Sequence, residues 1–159
     1  MHLRPRHPED LPALVAVLER THREVGYPVR AVNVRAGWLA EAHELGAWVA
    51  EQDGRTVGHV ALHPVSGRCA PVWREATGCG DAGLAVVSRL LSDARGAGSA
   101  LLARAEQEAA ALGRVPVLEV ELRSPAREFY LRRGWRQVGE VDQRWGEHDV
   151  RVAALVRGP

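Results

Sequence analysis

The 159-residue chain predicts an α/β fold, a three-layer sandwich with a central mixed sheet of six or seven strands flanked by helices. Three observations carry that prediction. Leu84 to Leu91 is an apolar strand-like run, followed by a small-residue turn, an amphipathic stretch to Gly113 and a second strand-like run from Val115 to Leu122. Strand–turn–helix–strand implies a right-handed crossover between parallel strands. Asp53-Gly54 between Ala47–Glu51 and Thr56–His63 marks a hairpin, and Trp135–Val141 with Val150–Val156 closes the chain as two more strands, so the sheet is mixed.

The remaining elements follow in order. A short strand around Leu3 precedes Pro8-Glu9-Asp10, which opens a helix with Leu11, Leu14, Val15 and Leu18 on one face. Gly26-Tyr27-Pro28 ends it, and a second short helix is expected over Ala36 to Glu44. Ser66 to Gly83 carries several glycines with Pro71 and Trp73, and reads as a long irregular loop, of a length that is usually functional or mobile. The central helix places Leu101, Leu102, Ala105, Ala109 and Leu112 on one face and Arg104, Glu106 and Gln107 on the other, with Gly113 as its stop. Pro125 to Arg133 reads as a short helix capped by Ser124 and ended by Gly134. Nothing divides the chain, so residues 1–159 are expected to form a single domain.

Bulk properties remove several classes of function. A formal net charge of +1 gives no electrostatic case for a nucleic-acid or membrane-surface partner. All 21 basic residues are arginine, a compositional bias rather than a site. No segment approaches the ~20 apolar residues that span a bilayer, and the charged, proline-rich start lacks a signal-peptide core, so a cytoplasmic location is expected. Cys69 and Cys79 form neither a CxxC motif nor a zinc quartet, and read as free thiols; no metal site is expected.

The informative stretch is Arg95-Gly96-Ala97-Gly98-Ser99-Ala100, between the strand and the helix. Glycine there leaves peptide N–H groups bare at a helix mouth, which suits an anion, usually a phosphate. The glycines alone are also compatible with a simple turn. A dinucleotide fingerprint, with Glu119 near a ribose hydroxyl, fails because Leu101 stands where the third glycine belongs, and a Walker loop fails for want of Gly-Lys-Ser/Thr.

Arg95-x-x-Gly98-x-Ala100 is similar to the Q/R-x-x-G-x-G/A signature of the GNAT N-acetyltransferase superfamily. Leu118-Glu119-Val120, Ala126, Tyr130 and Gly134-Trp135 resemble further landmarks of that family, in the same order. The resemblance implies an acetyl-CoA-dependent transfer of an acetyl group to a primary amine, on a small molecule or a protein, by a monomer or homodimer without a metal. It also implies a coenzyme site over Leu90, Leu91, Arg95, Gly96, Ala97, Gly98, Ser99, Ala100, Ser124 and Tyr130, with an oxyanion met by a backbone N–H near Leu90-Leu91. Tyr130 is the implied acid for the departing thiolate, set against the alternative of a packed helix tyrosine. Glu119 is the implied base, although Glu119 and Glu121 on one strand face read equally as a solvated face. His59 and His63, four apart on one strand, are candidates to line an acceptor pocket or relay protons. Tyr27, Trp38 and Trp73 lie in the segments that shape the acceptor site in that family, and are expected in the core. A non-catalytic acyl-CoA-binding or sensory module is the alternative, with a dinucleotide-binding domain behind it.

Overall fold

The computed structural model of the protein describes residues 1–158. Strands β1 (His2–Pro5), β2 (Gly46–Gln52), β3 (Arg55–His63), β4 (Leu84–Ser92), β5 (Val115–Glu121), β6 (Trp135–Trp145) and β7 (His148–Arg157) form one sheet in the order β1-β2-β3-β4-β5-β7-β6. It is flanked by helices α1 (Leu11–Val25), α2 (Ala36–Leu39), α3 (Ala70–Thr77), α4 (Ala97–Ala111) and α5 (Ala126–Leu131). β4 and β5 run parallel, from Leu84 opposite Val115 to Val86 opposite Val117, as the crossover requires. β1–β2, β2–β3, β5–β7 and β6–β7 are antiparallel, so the sheet is mixed.

The chain divides into two compact units, one of residues 1–63 and 87–108, the other of residues 64–86 and 109 onward. In the first, Leu14, Val17 and Leu18 of α1 pack with Leu39 of α2, Val49 of β2 and Leu91 of β4, all buried. Their spacing on α1 is the i, i+3, i+4 stripe of a helix lying on a sheet. In the second, Cys69 and Trp73 pack with Leu84, Val117, Val152, Ala154 and Val156.

Several expectations are corrected. Ser66 to Gly83 is not an irregular loop, because α3 occupies its centre. Pro71 sits in the first turn, where its missing N–H costs nothing, and Trp73 on the inner face is 1% exposed. The second helix stops at Leu39 instead of reaching Glu44. Leu112 lies beyond the end of α4 and is 52% exposed, while Leu101, Leu102, Ala105 and Ala109 are buried as expected. β6 and β7 are longer than predicted and meet at Gly146-Glu147.

Candidate functional site

The first unit holds the glycine turn. β4 ends at Ser92, and the Asp93 N–H donates to the Val57 carbonyl at 3.0 Å. The Asp93 carboxylate accepts from Arg20 Nε at 2.8 Å and Nη2 at 2.5 Å, tying α1 to the strand end. Gly96 has φ +84°, and no atom lies within 4 Å of where a Cβ would stand. The chain therefore turns there without strain and leaves open space before α4. The Ala100 N–H donates to the Gly96 carbonyl at 3.1 Å, the first helical turn. The left-handed position is thus Gly96, whereas Gly98 of the signature lies within that first turn.

Arg95 and Gly96 are exposed, Leu90, Gly98, Ser99 and Ala100 half-buried, and Leu91 and Ala97 buried. Gly58 supports the turn from β3. A Cβ there would stand 2.9 Å from the Leu91 carbonyl and 2.8 Å from Leu101 Cδ1. Only glycine lets β3 come this close to the end of β4 and to α4, a constraint that a single sequence does not display.

The same unit carries a polar cluster beneath its sheet face. His59 is fully buried. Its Nδ1 lies 2.8 Å from the Arg89 carbonyl, which can only accept, so Nδ1 carries the proton and Nε2 accepts from Arg6 Nη1 at 3.0 Å. Burial pushes the His59 pKa down to about 4, with the Arg6, His63 and Arg89 charges adding to the effect. Arg6 also pairs with Glu44 and donates to the Leu39 carbonyl at 3.0 Å. Arg89 itself has φ +54°, rare for a residue with a side chain, and Ser88, Arg89 and Leu90 are all half-buried, so the alternation of β4 breaks there.

The Arg89 guanidinium lies 4.2 Å from the Trp38 ring centroid and donates to the Trp38 carbonyl at 3.0 Å and to Glu41 at 2.6 Å. Tyr27 meets Trp38 edge-on at 5.7 Å. Tyr27 and Trp38 are half-buried and pack against the core cluster of α1, as expected, while Trp38 also meets Arg89; Trp73 is core, as expected. His63 sits at the cluster's edge. Its Nδ1 lies 2.6 Å from Ser88 Oγ and its Nε2 3.7 Å from Glu44 Oε2.

The second unit holds the other candidates. Tyr130 on α5 is buried, its ring edge-on to Phe129 at 5.3 Å and to Trp135 at 6.0 Å. Ser124 Oγ accepts the Ala126 N–H at 3.2 Å and so caps the start of α5. Glu119 is exposed on β5, and its carboxylate accepts from Gln143 Nε2 at 2.7 Å. Gln143 also contacts Cys69 Sγ at 3.7 Å, and burial, with Glu119 nearby, pushes the Cys69 thiol up to about 12. Cys69 and Cys79 are both free thiols. Among the described residues no cluster of three or more His, Cys, Asp or Glu side chains could hold a metal, and no helix is long and apolar enough to cross a membrane.

The strand-to-helix turn and the order of elements define an acetyltransferase fold. The sequence profile of the Acetyltransferase (GNAT) family matches residues 11–135, and the chain belongs to that family. Solved structures share the fold over nearly the whole chain. A ribosomal-protein-alanine N-acetyltransferase from Brucella melitensis is 20% identical with a TM-score of 0.69, covering 98% of each chain. Arabidopsis thaliana NAA60 in complex with acetyl-CoA is 20% identical with a TM-score of 0.68, over 98% of this chain and 97% of that one. The ribosomal-protein-S18-alanine N-acetyltransferase from Escherichia coli is 15% identical with a TM-score of 0.68, over 98% and 91%. No curated protein matches the chain in sequence.

Proposed function

We propose that residues 1–159 act as one acetyltransferase domain that moves the acetyl group of acetyl-CoA directly to a primary amine. The observation that carries this reading is the turn at Gly96, which opens without strain onto the 15-residue helix α4. The first turn of any helix has N–H groups without intrahelical partners, and its dipole amounts to about +0.5 charge. A pyrophosphate suits that turn, with the exposed Arg95 adding charge. Acetyl-CoA supplies the activated acyl carbon and a thiol leaving group.

The other requirements fall to the chain. An amine with a pKa near 10.4 is neutral in fewer than about one molecule in a thousand at pH 7, so a proton acceptor is worth ~10²–10⁴-fold. Tyr130 is the donor for the departing sulfur; its ring is fixed between Phe129 and Trp135. A backbone N–H near Leu90-Leu91, where β4 loses its alternation, meets the developing oxyanion. Ser124 shapes the start of α5. Glu119 is exposed and held by Gln143, and we read it as part of a solvated strand face rather than as the base.

A ribosomal-protein alanine is the acceptor named for two of the structural relatives, which favours protein amines among the acceptors to be tried first. Mixing the protein with acetyl-CoA and a panel of small amines and peptide N-termini, and following thiol release, tests the reading. Release that needs an amine supports it. Binding of acetyl-CoA with no release for any amine instead supports a non-catalytic acyl-CoA sensor.

A further inference from the structure

Two histidines lie four residues apart on β3, and the structure gives them different duties. His59 has both ring nitrogens engaged, by the Arg89 carbonyl and by Arg6, and is fully buried. It holds the strained peptide of Arg89 in place and has no nitrogen left for a substrate proton.

His63 differs. Its Nε2 is buried, makes no hydrogen bond, and faces the Glu44 carboxylate at 3.7 Å. An unprotonated Nε2 would point its lone pair at that carboxylate. The favoured tautomer therefore carries its proton on Nε2, leaving Nδ1 to accept from the Ser88 hydroxyl at 2.6 Å. Glu44 is fixed in turn by Arg6. Ser88 is half-buried, as are His63 and Glu44, and its hydroxyl is the end of the row opposite Glu44. It is two residues before Leu90, where β4 loses its alternation beside the strained Arg89.

We infer that Ser88, His63 and Glu44 form a proton relay that deprotonates the acceptor amine, with Ser88 Oγ as the group that meets the ammonium, His63 as the proton store and Glu44 as its orienting carboxylate. The inference rests on the acetyltransferase reading above. The ammonium gives one proton to Ser88 Oγ as the hydroxyl passes its own to His63 Nδ1. The freed nitrogen forms the C–N bond to the acetyl carbon while the C–S bond breaks. Tyr130 gives the sulfur its proton, and the second proton on nitrogen leaves to water, from which Tyr130 is restored. One amide, one thiol and one proton result.

His63 is suited to store a proton only briefly. Burial and the Arg89 charge hold its proton affinity below the ordinary histidine value, while Glu41 and Glu44 raise it. His59 faces it from its own strand and stays neutral above a pKa of about 4.

The test uses the whole protein with an acceptor that the wild type turns over. His63→Gln and Ser88→Ala are each expected to keep acetyl-CoA affinity within about twofold by calorimetry, showing an intact fold. Both should lose about 10²–10⁴-fold in kcat with an alkyl amine at pH 7, the span of general-base effects. The loss should shrink to under about threefold near pH 10, or with a weakly basic amine that is already neutral at pH 7, because neither then needs a base. A merely structural role would depress all three rates alike. Wild-type rates with an alkyl amine in both variants, or an equal loss for all acceptors, would overturn the relay while leaving the acetyltransferase reading intact. A wild type that binds acetyl-CoA but turns over no amine overturns that reading and the relay with it.

Discussion

The two units of the molecule are built on opposite principles. In the first, residues 1–63 and 87–108, the core includes Asp10, Thr21 and His59, all buried and hydrogen-bonded, and Arg6 and Glu44 pair beside them. In the second, the packed cluster is Trp73 and aliphatic side chains with one thiol, and its charged candidate, Glu119, stands in solvent. The difference teaches where chemistry can be held ready. A buried polar group fully satisfied by partners is fixed in tautomer and direction, whereas an exposed carboxylate is already served by water. The first unit therefore carries the pH response and the proposed base relay, while the second supplies apolar stability and the proposed acid, Tyr130.

The largest break in that comparison comes from the apolar side. Trp73→Ala should cost about 3–5 kcal/mol of stability by denaturant unfolding, since a fully buried indole is removed from the middle of its cluster. At the site, Tyr130→Phe keeps the ring contacts and removes only the hydroxyl. It should lower kcat by roughly 10–10³-fold with acetyl-CoA affinity nearly unchanged, and by less with a thioester whose leaving thiol is more acidic.

The polar unit should fail in acid. His59 has a pKa of about 4 in the folded protein against about 6.5 in the unfolded chain, so between those values only the unfolded chain takes up the proton. Stability should therefore fall as pH drops from about 6.5 to 4, by about 3 kcal/mol from this group. His59→Asn should flatten that part of the profile even if it lowers the plateau. Asp10, held below the usual carboxylate range by the Arg4 guanidinium, adds a separate loss as pH falls below about 3.9.

Smaller effects sharpen the contrast. Gly58→Ala should cost about 1–3 kcal/mol, because its Cβ would press on the Leu91 carbonyl, which is backbone and moves only with β4. Glu119→Gln should change kcat by less than about threefold, as befits an exposed group. A loss of 10²-fold there would move the base to the second unit.

How much of this was legible in the sequence depends on how local each feature is. The hairpin at Asp53-Gly54, the crossover and the glycine turn are written in contiguous residues, and all three stand in the structure. α3 was hidden because Gly67, Pro71, Gly78 and Gly80 resemble loop punctuation, although Pro71 starts the helix and Gly78, at φ +70°, ends it. The polar cluster was invisible for a different reason. Arg6, Glu44, His59, Ser88 and Arg89 come from four separate stretches, and only the β2–β3–β4 order of the sheet gathers them. The histidine pair was noticed, but the partners that distinguish His59 from His63, from Glu44 to Arg6, are 19 to 53 residues away along the chain.

The most direct test of the central claim is a calorimetric titration with acetyl-CoA, repeated on Gly98→Val. One saturable site, weakened at least about tenfold by the valine at the mouth of α4 (about 1.4 kcal/mol), is the expected result. No binding to the wild type, or equal binding by a folded Gly98→Val protein, would contradict the assignment of the turn before α4 as the coenzyme site.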